Sequence, residues 1–395
     1  MELVNNIKRS MKNYKLEFIR GFAAILVFIC HLFVSNSKLQ GRDFGLISNW
    51  GTEAVMAFFI LSGLVIAKSC EGRNITSRQF FINRLARLYP LLLISLIFAY
   101  SLSYFLLGEN INIENIVGNV FLLGTLDAKI YSVPNANIVI WSLSFEMFFY
   151  IIFGIILYFK NYKALWVWQV ISILLIPLYY CNYNGIMGYI IEHLVFSTPW
   201  LLGFYLNKYS KHLNYFNLAD VFFFVAILPS VARLKITTEF YCIIKYDLFA
   251  IVSLPLFIYA NNSNISMKPT KNNYLKYTLM FSVYLLSSFS LIYFSDSRMF
   301  AKIIYILLPI ILLFAMPFIK HIFKYFQTKL IQFSLYLGSI SYGLYIIHFP
   351  MLILISNYIK NPLLYLIVGI VCCFGSAHFL EKIIQPKFNS LIKRI

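Results

Sequence analysis

Charge is what this sequence has least of: 12% of its 395 residues are Asp, Glu, Lys or Arg, about half the share of an ordinary soluble domain. Acidic side chains are scarcest, 15 against 33 Lys and Arg, which gives a formal net charge of +18. The six cysteines, Cys30, Cys70, Cys181, Cys242, Cys372 and Cys373, show no metal-ligand spacing and fall inside or at the ends of apolar runs. They read as buried apolar side chains, and no metal site is expected. Low-complexity linkers and internal repeats are absent, and with 17 Gly and 12 Pro the chain is poorly supplied for the broken helices of repeat-built transporters. No small-residue cleavage site follows Lys8, Arg9, Lys12 and Lys15, so the first apolar segment is expected to stay as an anchor.

Hydrophobic residues make up 60% of the chain, and apolar runs of about 18 to 22 residues recur along it, each long enough to cross a bilayer. The expected spans are 16–35, 52–68, 89–107, 138–158, 164–181, 186–206, 218–234, 242–260, 276–294, 299–318, 333–355 and 363–380. The predicted fold is therefore all-α, a polytopic integral membrane bundle of about ten to twelve transmembrane helices. It occupies 1–395 as one membrane domain, with a short N-terminal segment 1–15, a tail 381–395 and no soluble domain.

Basic residues gather in alternate gaps: Lys68, Arg73, Arg78, Arg84 and Arg87; Lys160 and Lys163; Lys208 and Lys211; Lys268 and Lys271; Lys320, Lys324 and Lys329. The other gaps hold chiefly Lys38, Arg42, Lys129, Arg233, Lys235, Arg298 and Lys360. That alternation puts both termini in the cytoplasm and makes the positive charge a matter of topology, with no nucleic-acid partner implied. The longest external gap, 108–137, is amphipathic and too polar to span, as an interfacial helix followed by an ordered loop would be.

Polar residues inside these spans need a reason, because lipid makes them costly. Arg20 and His31 share the first span eleven residues apart, close to three helical turns, or roughly 16 Å. His31 and Glu146 both fall toward the external side, which suggests a base with an orienting carboxylate, while a structural polar contact between helices remains open for either. Arg84 and Arg87, one turn apart at the mouth of the third span and grouped with Arg20 and Arg78, could hold a phosphate or simply anchor the helix ends. Ser62 and Gly63 favour close helix packing. Ser341, Tyr345 and His348 share a face of the eleventh span, with acceptor contact or an aromatic-belt role open for His348.

In combination, these segments resemble the membrane-bound acyltransferase-3 family, which includes bacterial O-acetyltransferases of surface polysaccharides. The likeness rests on Arg20 with His31, on Phe58 to Gly63, on Arg84, Arg87 and Pro90, on Trp141 to Tyr150, and on Leu337 to Pro350. Two places depart from it: Asn83 precedes Arg84 where a second basic residue is common, and the closing Glu-x-Pro is stretched to Glu381 through Pro386, so no role passes to Glu381. Some relatives carry a further esterase-like domain; here transfer is expected to finish in the membrane domain or with a partner protein.

The resemblance implies acyl transfer from cytosolic acyl-CoA, most often acetyl-CoA, to a hydroxyl of a surface or lipid-linked carbohydrate, in a bacterial cytoplasmic membrane. Acyl-CoA is then a co-substrate, with no tightly bound cofactor. His31 would be the general base, Glu146 its orienting partner, and Arg84 and Arg87 the holders of the CoA phosphates with Arg20 supporting the path. Ser62, Ser144, Tyr345 and His348 would position acceptor or thioester. The alternatives from other classes are a proton-coupled transporter or flippase of glycans or lipids and a scaffold subunit; the acyl group, the acceptor, direct transfer against an acyl-histidine intermediate and the oligomeric state stay open.

Overall fold

The structure, a computed structural model, describes residues 14–35, 50–124, 126, 133–181, 185–209, 216–232, 239–262, 273–294 and 299–392. Lys8, Arg9, Lys12, Lys38, Arg42, Lys129, Lys211, Arg233, Lys235, Lys268, Lys271, Arg298, Lys393 and Arg394, on which the topology reading partly leans, lie outside the described residues. So does the side chain of Cys242. Of the other cysteines Cys373 is buried as expected, but Cys181 is exposed, because it follows the short helix that ends its apolar run.

All regular structure among the described residues is helical. Helix α1 covers Tyr14–Val34, α2 Gly51–Cys70, α3 Ser77–Phe105 and α4 Ile113–Val120. A 3-10 segment, Asn135–Ile140, leads into α5, Trp141–Tyr158, followed by α6 (Ala164–Leu174), α7 (Ile176–Tyr179), α8 (Gly185–Val195) and α9 (Thr198–Tyr209). Then come α10 (Leu218–Ala232), α11 (Glu239–Asn261), α12 (Asn273–Phe294), α13 (Met299–Tyr358) and α14 (Pro362–Phe379), a π turn over Leu380–Ile384, and α15 (Gln385–Ile392).

Eight helical segments among the described residues are long and apolar enough to cross a membrane. Several predicted spans take shorter forms. Pro177 opens α7 within 164–181, and Pro199 opens α9 within 186–206, the helix position where a missing N–H costs nothing. The predicted spans 299–318 and 333–355 are parts of one helix, α13. The cytoplasmic loop expected between them is helical: 319–332 contains no Gly or Pro, and Lys320, Lys324, Gln327, Lys329 and Gln332 are good helix formers. Helix α4 falls inside the amphipathic gap as expected, leaving Ile113, Val117 and Phe121 exposed one turn apart.

Contacts gather into two compact units. The first contains Tyr14–Arg20, Met56–Glu71 and the described part of Pro199–Gly338. Its core joins Leu16 and Ile19 of α1, Ile60, Leu61 and Leu64 of α2, Leu206 of α9, and Ala250 and Phe257 of α11. Helices α2 and α9 touch backbone to backbone: a Cβ on Gly63 would strike the Trp200 carbonyl, and one on Gly203 would strike that of Ile60. This is the close approach that Ser62 and Gly63 suggest in the sequence. At the start of α10, Asn217 and Asp220 bond each other's backbone N–H, at 3.0 and 2.8 Å, a reciprocal cap that satisfies two otherwise orphaned donors.

The second unit contains Gly21–Val55, Gly72–Thr198 and Ser339–Ile395 in their described parts. Helices α3 and α13 run the same way in it, since Leu88 meets Tyr342 and Ser95 meets Ile346. Helix α5 runs against α3, with Asn137 beside Ser95 and Gly154 beside Ser77. Helix α14 runs against both α13 and α1: Gly369 packs on Leu352 and Leu32, Ala377 on Gly343, and Phe374 on Phe28. These relative directions are the ones that alternating spans one, three, four, eleven and twelve require.

Two prolines shape this unit. Pro350 has no N–H, so the Ile346 carbonyl four residues earlier loses its helical donor; Ser95 Oγ donates to it at 2.7 Å and Asn137 Nδ2 at 3.0 Å. Asn137 reaches there from a non-helical kink, φ −150° and ψ 66°, inside the 3-10 segment. Pro90 frees the Ala86 carbonyl in the same way, and Gln385 Nε2 of α15 donates to it at 2.9 Å. In hydrocarbon such carbonyls must find a donor within the protein, so each proline dictates which neighbour packs against its helix.

Two outcomes follow from this packing. Gly63→Ala is expected to lower the melting temperature in detergent, with an overpacking cost of about 1–3 kcal/mol, whereas Gly375→Ala, whose Cβ meets nothing within 4 Å, should leave it unchanged or raise it. Ser95→Ala or Asn137→Ala alone should destabilise by up to about 1 kcal/mol and the double variant by more than the sum. Adding Pro350→Ala to the double variant should recover stability by restoring the backbone donor, and failure to do so would contradict the carbonyl account.

Candidate functional site

The centre of the second unit is a pair of histidines from α1 and α13. His31 Nδ1 lies 3.1 Å from His348 Nε2 and 3.0 Å from the Val27 carbonyl one turn back on its own helix. His348 Nδ1 in turn lies 2.9 Å from the Leu344 carbonyl. The rings are 5.2 Å apart, with the edge of Phe349 on His31 at 5.0 Å and that of Phe28 on His348 at 6.3 Å. His348 is fully buried, while His31 is only partly so. Among the described residues none hydrogen-bonds His31 Nε2. His348 can therefore reach another molecule only through His31, which replaces the expectation that it touches an acceptor directly.

From His348 a line of polar groups follows α13 toward its start. The Tyr345 hydroxyl donates to the Val139 carbonyl at 2.9 Å and bonds Ser142 Oγ. One turn earlier the Tyr342 hydroxyl donates to the Leu88 carbonyl at 2.8 Å and lies under the Arg87 guanidinium, 5.2 Å from the ring centre. Tyr342 and His348 are six residues apart, roughly 9 Å along a helix.

The two arginines of α3 differ in what they have left to offer. Arg87 forms a two-pronged ion pair with Glu381, at 2.7 and 2.9 Å, and the same carboxylate accepts the Gly343 N–H at 3.0 Å. Glu381 is buried, so Arg87 ties the π turn to α3 and most of its charge is matched. Arg84 has no carboxylate partner among the described residues, and its Nε is buried without a hydrogen bond. Its guanidinium faces the Phe80 and Tyr150 rings at 5.7 and 5.9 Å.

The other sequence candidates fall elsewhere. Glu146 takes a hydrogen bond from Tyr150 one turn on along α5, and among the described residues no hydrogen bond joins it to His31, the partner expected for it; its charge is felt instead by Tyr342 and Tyr345 of α13. Ser144 bonds His193 Nε2 at 3.2 Å, and His193 stacks on Phe145 at 4.0 Å, which leaves Ser144 inside a buried cluster. Arg20 and Ser62 belong to the first unit; Arg20 pairs with Glu17 on its own helix at 2.7 Å.

Sequence reasoning missed Ser95, Asn137, Ser142 and His193. A signal existed for His193, since Glu192-His193 interrupts an apolar run just as His31 does. For Ser95 and Asn137 the pointer was Pro350, whose missing N–H calls for donors from elsewhere.

Chemically, among the described residues the site offers one half-buried imidazole with an unengaged ring nitrogen, held by a buried second imidazole, and on α3 a guanidinium with no carboxylate partner. Comparison with known proteins fits this inventory. The acyltransferase MdmB of Streptomyces mycarofaciens is 31% identical over 143 residues, 34% of this chain and 36% of the relative, so the likeness spans about a third of each. No solved structure is similar to the chain. The family described as "Acyltransferase domain" matches residues 13–380, and with nearly all its length inside that match the chain belongs to the acyltransferase-3 family.

Proposed function

We propose that the protein is a membrane-embedded O-acyltransferase in which His31 is the general base. The observation that carries this is His31 itself: a partly accessible imidazole within an apolar helix, one nitrogen engaged by His348 and Val27 and the other unengaged among the described residues. The donor is an acyl-CoA on the cytoplasmic side, with acetyl-CoA the first choice. The acceptor is a hydroxyl of a surface or lipid-linked carbohydrate on the far side of a bacterial cytoplasmic membrane. Acetyl group and carbohydrate come from the family resemblance.

In the reaction, the acceptor oxygen attacks the thioester carbon while its proton passes to His31. The carbon–oxygen bond forms, the carbon–sulfur bond breaks, and the proton goes on to the departing sulfur, giving an ester and free CoA thiol. Arg84 is the phosphate ligand we favour, because it has no carboxylate partner among the described residues and its planar fork suits phosphate. Arg87 supports the site from behind by fixing Glu381 and the π turn. Tyr345, whose ring centre lies 6.3 Å from that of His348, supplies with Ser142 a hydroxyl pair beside the histidines.

Membranes carrying wild-type protein should transfer radiolabelled acetyl from acetyl-CoA to a glycan fraction, and His31→Ala at equal abundance should reduce this by about 10²-fold or more. Equal labelling by the variant would remove His31 from the chemistry; no labelling by either would bring the transporter reading forward. The two arginines should separate cleanly. Arg84→Ala is expected to raise KM for acyl-CoA by about tenfold or more with little loss of thermal stability. Arg87→Ala strands a buried carboxylate and should lower the melting temperature, at a cost of about 3 kcal/mol.

A further inference from the structure

We propose that His348 is a positioning residue for acyl transfer: it accepts the Nδ1 hydrogen of His31, fixing that ring in one tautomer so that Nε2 is the atom that takes the acceptor's proton. The inference rests on the reading of His31 as the base and adds which nitrogen acts and what holds it.

The assignment follows from which groups can donate. A carbonyl oxygen only accepts. His348 Nδ1 faces the Leu344 carbonyl at 2.9 Å, so Nδ1 carries the hydrogen and Nε2 of the neutral ring presents a lone pair. That lone pair faces His31 Nδ1 at 3.1 Å, and the same nitrogen faces the Val27 carbonyl at 3.0 Å. Two acceptors around one nitrogen require a hydrogen on it, shared between them. His31 Nε2 is then the lone pair left over, and it belongs to the ring that is only partly buried.

The opposite assignment is costly. If His31 Nδ1 were bare, His348 would have to donate from both nitrogens and carry a positive charge while fully buried. Among the described residues no carboxylate contacts either ring, and an unpaired buried cation is expensive. A neutral pair at rest avoids that cost, which a carboxylate partner for His31 would not. Both rings are also anchored to carbonyls one turn back on their own helices, and the Ser95 and Asn137 bonds to Ile346 fix α13 beside His348.

During transfer the His31 Nδ1 hydrogen stays in place. When Nε2 takes the hydroxyl proton, the ring becomes an imidazolium and its bond to His348 becomes charge-assisted and stronger. Nε2 then gives that same proton to the CoA sulfur as the carbon–sulfur bond breaks, and His31 is neutral again. His348 thus fills the place that a carboxylate fills in a serine-protease triad, without bringing a net charge into the bilayer.

The test combines kinetics with a spectroscopic readout on the full chain. His348→Gln puts an amide acceptor near the position of Nε2, and His348→Met fills similar volume with no comparable acceptor. We expect His348→Gln to keep kcat within about tenfold of wild type and His348→Met to lose about 10²-fold in kcat with KM for acetyl-CoA unchanged. Nitrogen NMR of protein labelled with ¹⁵N-histidine, with the His31 signals identified by their loss in His31→Gln, should show Nδ1 protonated and Nε2 bare in wild type. The share protonated on Nδ1 should fall in His348→Met, where the Val27 carbonyl is the one acceptor left at that nitrogen among the described residues. A wild-type His31 protonated on Nε2, or a His348→Met variant with unchanged kcat, would overturn the proposal. Because the NMR needs no substrate, the predicted tautomer in a protein that transfers no acyl group would instead count against the acyltransferase reading alone.

Discussion

The governing constraint is that a polar group inside a bilayer must find its partner within the protein. Pro350 and Pro90 each strip a donor from their own helix, and the carbonyls they leave, Ile346 and Ala86, recruit Ser95, Asn137 and Gln385. Those bonds decide that α3, the 3-10 segment and α15 pack where they do. Around them the second unit of the chain assembles its histidine pair, its tyrosines and its arginines.

The same constraint explains why the polar residues have such different fates. Arg87 is matched by Glu381, Ser144 by His193, and Tyr345 by Ser142 and Val139. Among the described residues other buried polar atoms have no hydrogen bond, and two of the uncommitted groups suit this chemistry, the second nitrogen of His31 and the guanidinium of Arg84. An unengaged imidazole nitrogen and a guanidinium without a carboxylate partner among the described residues are groups that a bound reactant could use, and membership of an acyltransferase family supplies the reaction class.

Much of this was legible in the sequence because lipid exaggerates exceptions. An Arg and a His in an apolar run stand out without any fold knowledge, and a Ser-Gly step signalled the α2–α9 contact that Gly63 and Gly203 make. Partnerships were not legible. His31 and His348 are separated by 317 residues and Arg87 and Glu381 by 294, so pattern along the chain paired His31 with Glu146 and left Glu381 without a role. The stretched spacing after Glu381 falls on the π turn, the wide helical turn in which an inserted residue is commonly absorbed. Loop cations likewise report sides of a membrane rather than secondary structure, which is why 319–332 was expected to be a loop and is helix.

The most direct measurement is a structure of the protein in lipid with a thioether analogue of acetyl-CoA, in which the reactive carbonyl is preserved but cannot be transferred. The account predicts the phosphates on Arg84 and the carbonyl carbon close enough to His31 Nε2 for an acceptor oxygen to lie between them, within about 3.5 Å of the carbon. Phosphates bound away from Arg84, or a carbonyl that approaches His193 instead of His31, would contradict it.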